Sequence, residues 1–252
     1  VNMRPLLYLF PRPWLIKLSI LFRPIIRFYF KGSRFTDPID GSSYRKFLSY
    51  GYQSIRHNAL CPGTLSLERH RLLWLYLDRE TDFLKLPLNV LHIAPEQVFY
   101  KKFKSFNHWK YITADLTSPL ADFRVDICKL PFDDSCYDLI LCNHVLEHVK
   151  DHIQAISELH RVLKKGGTLI AQVPIDEKLE TTFEDNSITD PNERSRVFGQ
   201  YDHVRIYGKD FFSFLNQSGF KSKGIPYANK LSEVEIKKYC LQKEVIPVAI
   251  KS

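Results

Sequence analysis

No two cysteines stand close together in this 252-residue sequence: Cys61, Cys128, Cys136, Cys142 and Cys240 are scattered and odd in number. That spacing excludes a disulfide framework and points to reduced thiols in a cytoplasmic chain. Long uncharged apolar runs are missing as well. The stretch from Leu6 to Phe30 is strongly apolar, yet Arg12, Lys17, Arg23 and Arg27 interrupt it and Pro11, Pro13 and Pro24 break it. It does not fit a membrane span, which needs about 20 apolar residues. It also lacks the small-residue cleavage site of a signal peptide. Internal repeats and low-complexity tracts are absent.

Charge of one sign is scarce only in places. The net charge is +8, but residues 1–71 hold 12 Lys/Arg and 3 Asp/Glu, while residues 72–252 hold 24 and 25. The basic character therefore belongs to the first third, which argues against a catalytic domain built for nucleic acid. Two readings fit the apolar, basic start. It is an arm packed on the domain or on a partner chain, or it lies on the inner face of a membrane with its cations toward anionic lipid.

From Leu88 onward, strand and helix patterns alternate. Short apolar runs at 89–94, 109–114, 124–126, 137–142 and 168–173 read as strands. Residues 97–106 and 151–163 carry helical spacing, and Gly166-Gly167 is expected to end the second helix. Residues 209–217 and 232–241 read as later helices, and 221–225 and 245–250 as final strands. Such alternation predicts a parallel sheet with helices on both faces. Residues 175–207 break the rhythm with a polar insertion of the kind that covers an acceptor site.

In an open parallel sheet, ligands bind beyond the carboxyl ends of the strands. That directs attention to His92–Glu96, Asp115, Asp126 and Asn143–His148. Asp115 stands 19 positions after Glu96, the spacing of an acid that takes ribose hydroxyls, although a strand-end Asp also serves as a turn former.

The segment from Asp126 to His148, with its Leu130-Pro-Phe132 and its Leu146-Glu-His148 ending, resembles class I S-adenosylmethionine-dependent methyltransferases. The Leu163-Lys-Lys-Gly-Gly167 turn fits the same family. The resemblance implies a three-layer α/β/α doubly wound Rossmann-like sheet and S-adenosylmethionine as cofactor. It places Asp115 and Leu116 at the cofactor ribose, Asp126 and Ile127 beside the adenine, and Asn143 and His144 along the cleft.

One departure concerns glycine. The family's first strand ends in Asp-x-Gly-x-Gly-x-Gly, whereas this chain reads His92-Ile-Ala-Pro-Glu-Gln-Val98. His92, Ala94, Pro95 and Glu96 are then the loop residues facing the cofactor. Ala94 serves there if its φ is negative, and Glu96 supplies the missing carboxylate. A narrower resemblance, to a bacterial type 11-like subgroup with His-x-Ala-Pro-Glu at this turn, extends from about Leu60 to Gly219. Related chains carry two Cys-x-x-Cys pairs of a zinc ribbon, followed by the Ser66-Leu-Glu-Arg-His-Arg71 helix start. Here the pair positions read Asp37-Pro-Ile-Asp40 and Cys61-Pro-Gly-Thr64, too poor a donor set for structural zinc, and no metal ligands are expected elsewhere.

The expected organisation is an arm over 1–34, a degenerate ribbon and helix over 35–80, and a methyltransferase domain over 81–252. The expected function is methyl transfer to a small-molecule, glycan or lipid-linked acceptor. Glu184, Asp185, Arg194, Gln200 and Arg205 of the insertion are candidate acceptor ligands, and His203 is the candidate proton acceptor. The alternatives are a non-catalytic relative acting as a binding or scaffold module, and a nucleic-acid modifier gripping through the basic third.

Overall fold

Strands form where β-branched and aliphatic residues can be buried on both faces. The computed structural model describes residue 22 and residues 24–51 and 55–252; most of the expected arm lies outside them. In chain order the strands are β1 (Lys31–Thr36), β2 (Ser43–Tyr44), β3 (Leu48–Tyr50), β4 (Arg56–Leu60), β5 (Asn89–Ile93), β6 (Lys110–Asp115), β7 (Phe123–Arg124), β8 (Tyr137–Cys142), β9 (Leu163–Ile170), β10 (Phe183–Glu184), β11 (Arg205–Ile206), β12 (Phe220–Ile225) and β13 (Ile246–Lys251). The chain divides into two compact units. One holds residues up to Leu75 together with Leu231–Gln242, and the other holds Tyr76–Lys230 and Lys243–Ser252.

The larger unit is built on a seven-stranded sheet of order β12-β13-β9-β8-β5-β6-β7. The five strands from β9 to β7 pair in parallel, whereas β13 is antiparallel to both β9 and β12. Val90, Leu91, Leu139, Ile140 and Leu141 are fully buried, as expected for central strands covered on two faces. Strand order reverses between β5 and β8, so their carboxyl ends open a crevice.

The expected helix end at Gly166-Gly167 is not where the helix stops. The helix His152–Val162 ends before Leu163, and β9 runs through the glycine pair. Leu163 is fully buried and extended, so its burial in the sheet outweighs the local breaker signal. Gly166, at φ +75°, takes a left-handed turn of chain within β9 that a side chain would strain.

The smaller unit contains two antiparallel pairs, β1 with β2 and β3 with β4. The positions of the expected ribbon ligands are tied by hydrogen bonds. Asp37, fully buried, accepts from Thr64 Oγ1, from Ser66 Oγ at 2.6 Å and from Ile39 N at 2.9 Å. Cys61 is a buried thiol pushed up to about 11 by its burial and by Asp37, which keeps it protonated. Beside them the buried Arg71 donates to the carbonyls of Ser66, Ala59, Tyr239 and Cys240 and lies over the Phe47 ring. Among the described residues no helix is long and apolar enough to cross a membrane.

Candidate functional site: a cavity beyond the ends of β5, β6 and β8

At the carboxyl ends of the parallel strands lies a cavity of about 790 Å³, a size suited to one cofactor-sized ligand. Ile93 and Ala94 border it after β5, and Asp115, Leu116 and Thr117 after β6. Asp126, Ile127 and Cys128 follow β7. The segment after β8 adds His144, Val145 and His148 to Asp151. Asp202 of the insertion completes its walls.

Two acids are fixed by the backbone around them. Asp115 Oδ1 accepts from the amides of Thr117, at 2.6 Å, and Ser118. Its second oxygen stays available to a ligand. Asp126 Oδ1 accepts from Cys128 N at 2.8 Å. Leu116, Ile127 and Val145 supply apolar wall between them.

Ala94 lines the cavity at φ +48°, so it takes its place there without the negative φ set as its condition. The left-handed conformation is the one that glycine supplies without strain, so alanine here adopts a glycine-like path. His144, across the cavity, also has a positive φ, +54°. Strained residues of this kind persist where the surroundings hold them, often at ligand sites.

The rest of the first loop turns away. His92 is fully buried, and both ring nitrogens are engaged, Nδ1 with Tyr111 Oη at 2.8 Å and Nε2 with Glu96 Oε2 at 2.6 Å. His92 and Glu96, expected to face the cofactor, hydrogen-bond each other and do not line the cavity, and the His92 ring lies beside Phe103. Pro95 does not line the cavity either. Asn143 is buried, its Oδ1 directed to Gln172 N at 3.5 Å, and it lies outside the cavity wall.

The insertion forms the β10–β11 pair and the helix Pro191–Val197, capped by Asp190. Its candidate acceptor ligands are mostly occupied within it. Arg205 is almost fully buried and donates to the carbonyls of Leu146, at 2.8 Å, Val149, and Lys150, at 2.8 Å, and to Glu184 at 3.0 Å. It holds the carbonyls of the segment after β8, with Glu184 as its counter-ion, and neither residue lines the cavity. Asp185 caps its own turn through Ser187, and Arg194 Nε donates to Ile188 O at 3.0 Å. Gln200 Nε2 donates to Asp202 Oδ1 at 2.8 Å, which orients the one acid of the insertion that reaches the cavity.

His203 lies against His148, with ring centroids 4.8 Å apart. Its Nδ1 is 3.2 Å from the Phe198 carbonyl oxygen. Burial, with His148 acting in the same direction, lowers the His203 pKa and keeps the ring neutral near pH 7. Glu147, 1% exposed, sits beside both rings. Burial opposes its charge, but the hydrogen bond from His144, at 3.2 Å, and the charge of that ring hold its carboxyl below the usual carboxylate range. Glu147 and His148 belong to the Leu-Glu-His ending, which marked the family in the sequence without assigning either residue a task.

Residues 88–171, one third of the chain, match the family described as Methyltransferase domain. An uncharacterized protein of Methanocaldococcus jannaschii is 43% identical over 65 residues, 25% of this chain and 28% of that one. The demethylmenaquinone methyltransferase of Alkalihalophilus pseudofirmus is 29% identical over 113 residues, 42% of each chain. The chain thus spans less than half the length of these curated relatives. Among solved structures, the [4+2]-cyclase SpnF superposes with a TM-score of 0.51 at 14% identity, over 93% of this chain and 95% of that one. An S-adenosylmethionine-dependent methyltransferase of Mesorhizobium loti gives 0.50 at 14% identity, over 71% and 98%. At such identities the likeness is one of fold. Through residues 88–171 and through its seven-stranded sheet, the chain resembles the class I S-adenosylmethionine-dependent methyltransferases.

Proposed function

We propose that the chain binds S-adenosylmethionine in this cavity and transfers its methyl group to an acceptor hydroxyl at the Asp202 side. The observation that carries the proposal is the placement of Asp115, Asp126 and His144 around one cavity beyond β5, β6 and β8. The residues fit the cofactor. Asp115 offers its unoccupied oxygen to a ribose, and Asp126 lies next to apolar wall that suits an adenine ring. When bound, the cofactor supplies a sulfonium-activated methyl group. The protein's part is to position the acceptor and to exclude water. His148 lines the cavity, and His203 and Glu147 lie against it without lining the cavity themselves. The demethylmenaquinone acceptor named for one relative is not carried over, because the match covers 42% of that protein.

A second reading, a non-catalytic binding module, draws on the strained Ala94-Pro95 turn. Isothermal titration with S-adenosylmethionine and S-adenosylhomocysteine separates the two. Micromolar binding is expected, and Asp115→Ala should weaken it by about 1–3 kcal/mol through the loss of a charged acceptor. Unchanged affinity in that variant removes Asp115 from the site, and the absence of binding in the parent chain sinks the proposal.

A further inference from the structure

We propose that Glu147, His148 and His203 hold one divalent transition-metal ion at the cavity rim, and that this ion binds the acceptor hydroxyl. The role of the ion rests on the methyl-transfer reading; its binding does not. Glu147 and His148 are consecutive and His203 lies 55 residues further on, yet one ligand atom of each lies within 4.8 Å of the other two.

The hydrogen bonds around them leave one nitrogen of each ring open. His148 Nδ1 is 3.2 Å from Asp202 O, and His203 Nδ1 is 3.2 Å from Phe198 O. A carbonyl oxygen can only accept, so in each neutral ring the proton sits on Nδ1 and the lone pair on Nε2. That arrangement fixes a metal-ligating imidazole by its outer nitrogen. The Asp202 carboxylate, 3.5 Å from His148 Nδ1 and held by Gln200, supports the same ring from outside. Glu147 completes the set. Its Oε1 takes the His144 contact, while Oε2 is buried with no hydrogen-bond partner. A buried carboxylate oxygen without a donor is costly, and a cation is the group that offsets it.

Two imidazoles and one carboxylate suit ions such as zinc, cobalt, manganese or iron. Three protein ligands leave coordination positions open, as in a catalytic site and unlike a closed structural one. His148 and Asp202 both line the cavity, so an ion on His148 Nε2 borders the space for the acceptor. There it would lower the pKa of an alcohol or phenol oxygen bound to it. The hydroxyl proton leaves to solvent. The oxygen lone pair forms the new O–CH3 bond as the S–CH3 bond breaks, and that electron pair stays on sulfur. The products are a methyl ether, a thioether and one proton. In this arrangement His203 is a ligand and not the base.

The experiment is equilibrium dialysis of the EDTA-treated full chain against Co2+ and against Zn2+. Metal analysis and the visible absorption of bound Co2+ are the readouts. One equivalent is expected in the parent chain, with affinity reduced at least tenfold in both His203→Ala and Glu147→Gln. S-adenosylhomocysteine affinity of His203→Ala should stay within twofold, which excludes collapse of the cavity. Absence of stoichiometric binding, or retention of the ion in both variants, overturns the proposal. So does loss of the ion in Cys61→Ser with retention in His203→Ala, which would place it in the smaller unit. An ion bound as expected in a chain that fails to bind S-adenosylhomocysteine supports the metal site and sinks the methyl-transfer reading instead.

Discussion

Ala94 holds a left-handed backbone with a β-carbon, at a turn where the resembling family places glycine. Relief of that strain outweighs the entropy that glycine adds to the unfolded chain. Ala94→Gly should therefore stabilise the fold by about 1 kcal/mol, read from the urea midpoint at unchanged slope. A destabilised variant would show that the surrounding contacts need the methyl group. A second residue, His152, gives a pH dependence. Burial, with Arg205 adding repulsion, lowers its pKa to about 4. The ring is 7% exposed and its Nδ1 lies 2.9 Å from Tyr207 Oη. Between pH 6.5 and 4 the unfolded chain binds a proton that the folded chain refuses, so stability falls as the pH is lowered through that window. The full loss for this one group is about 3 kcal/mol. Urea midpoints across the window should fall less steeply in His152→Gln than in the parent, and parallel curves would remove His152 as the cause. At this scale the sequence showed which residues stand at strand ends, namely Asp115, Asp126 and His144. It did not show that His92 and Glu96 hydrogen-bond each other, because a side-chain direction at a strand end depends on the neighbouring strand's Tyr111.

The segment from Leu146 to Asp151 is neither helix nor strand, and a buried guanidinium from β11 holds its carbonyls. Arg205→Lys should lose this clamp, since an ammonium cannot reproduce a planar fork of donors. Stability should drop by about 3 kcal/mol, as for a buried charge network opened at one partner. S-adenosylhomocysteine affinity should fall with it, because Val149, Lys150 and Asp151 border the cavity. Full affinity in the lysine variant would show that the rim keeps its shape unaided. Apolar runs made β5 and β8 legible in the sequence, each within a residue of its observed bounds. The start of β9 was misread because Gly166-Gly167 is a local breaker signal, whereas Leu163 is placed by burial in the sheet. The direction of β13 was not legible, since pairing sense depends on partners far along the chain. The same distance hid the Glu147–His148–His203 group, whose third member is 55 residues after the second.

Along the sequence the positive charge is concentrated in the first part, with a net +9 over residues 1–71. Residues 24–30 are helical there and expose Ile25 (63%) and Phe28 (82%). Apolar side chains beside clustered cations suit an anionic bilayer surface. The chain should co-sediment with vesicles rich in phosphatidylserine, release at high salt, and sediment less after joint replacement Ile25→Ser and Phe28→Ser. Equal sedimentation of the two proteins would exclude this face as the contact. The division into two units also sets a schedule for synthesis. The smaller unit takes Leu231–Gln242 from beyond most of the larger one, and Arg71 bonds the carbonyls of Tyr239 and Cys240. The larger unit in turn waits for β13, which sits between β9 and β12 in the sheet. On the ribosome neither unit can close before residues 231–252 emerge, so folding of both waits on the same short stretch of chain.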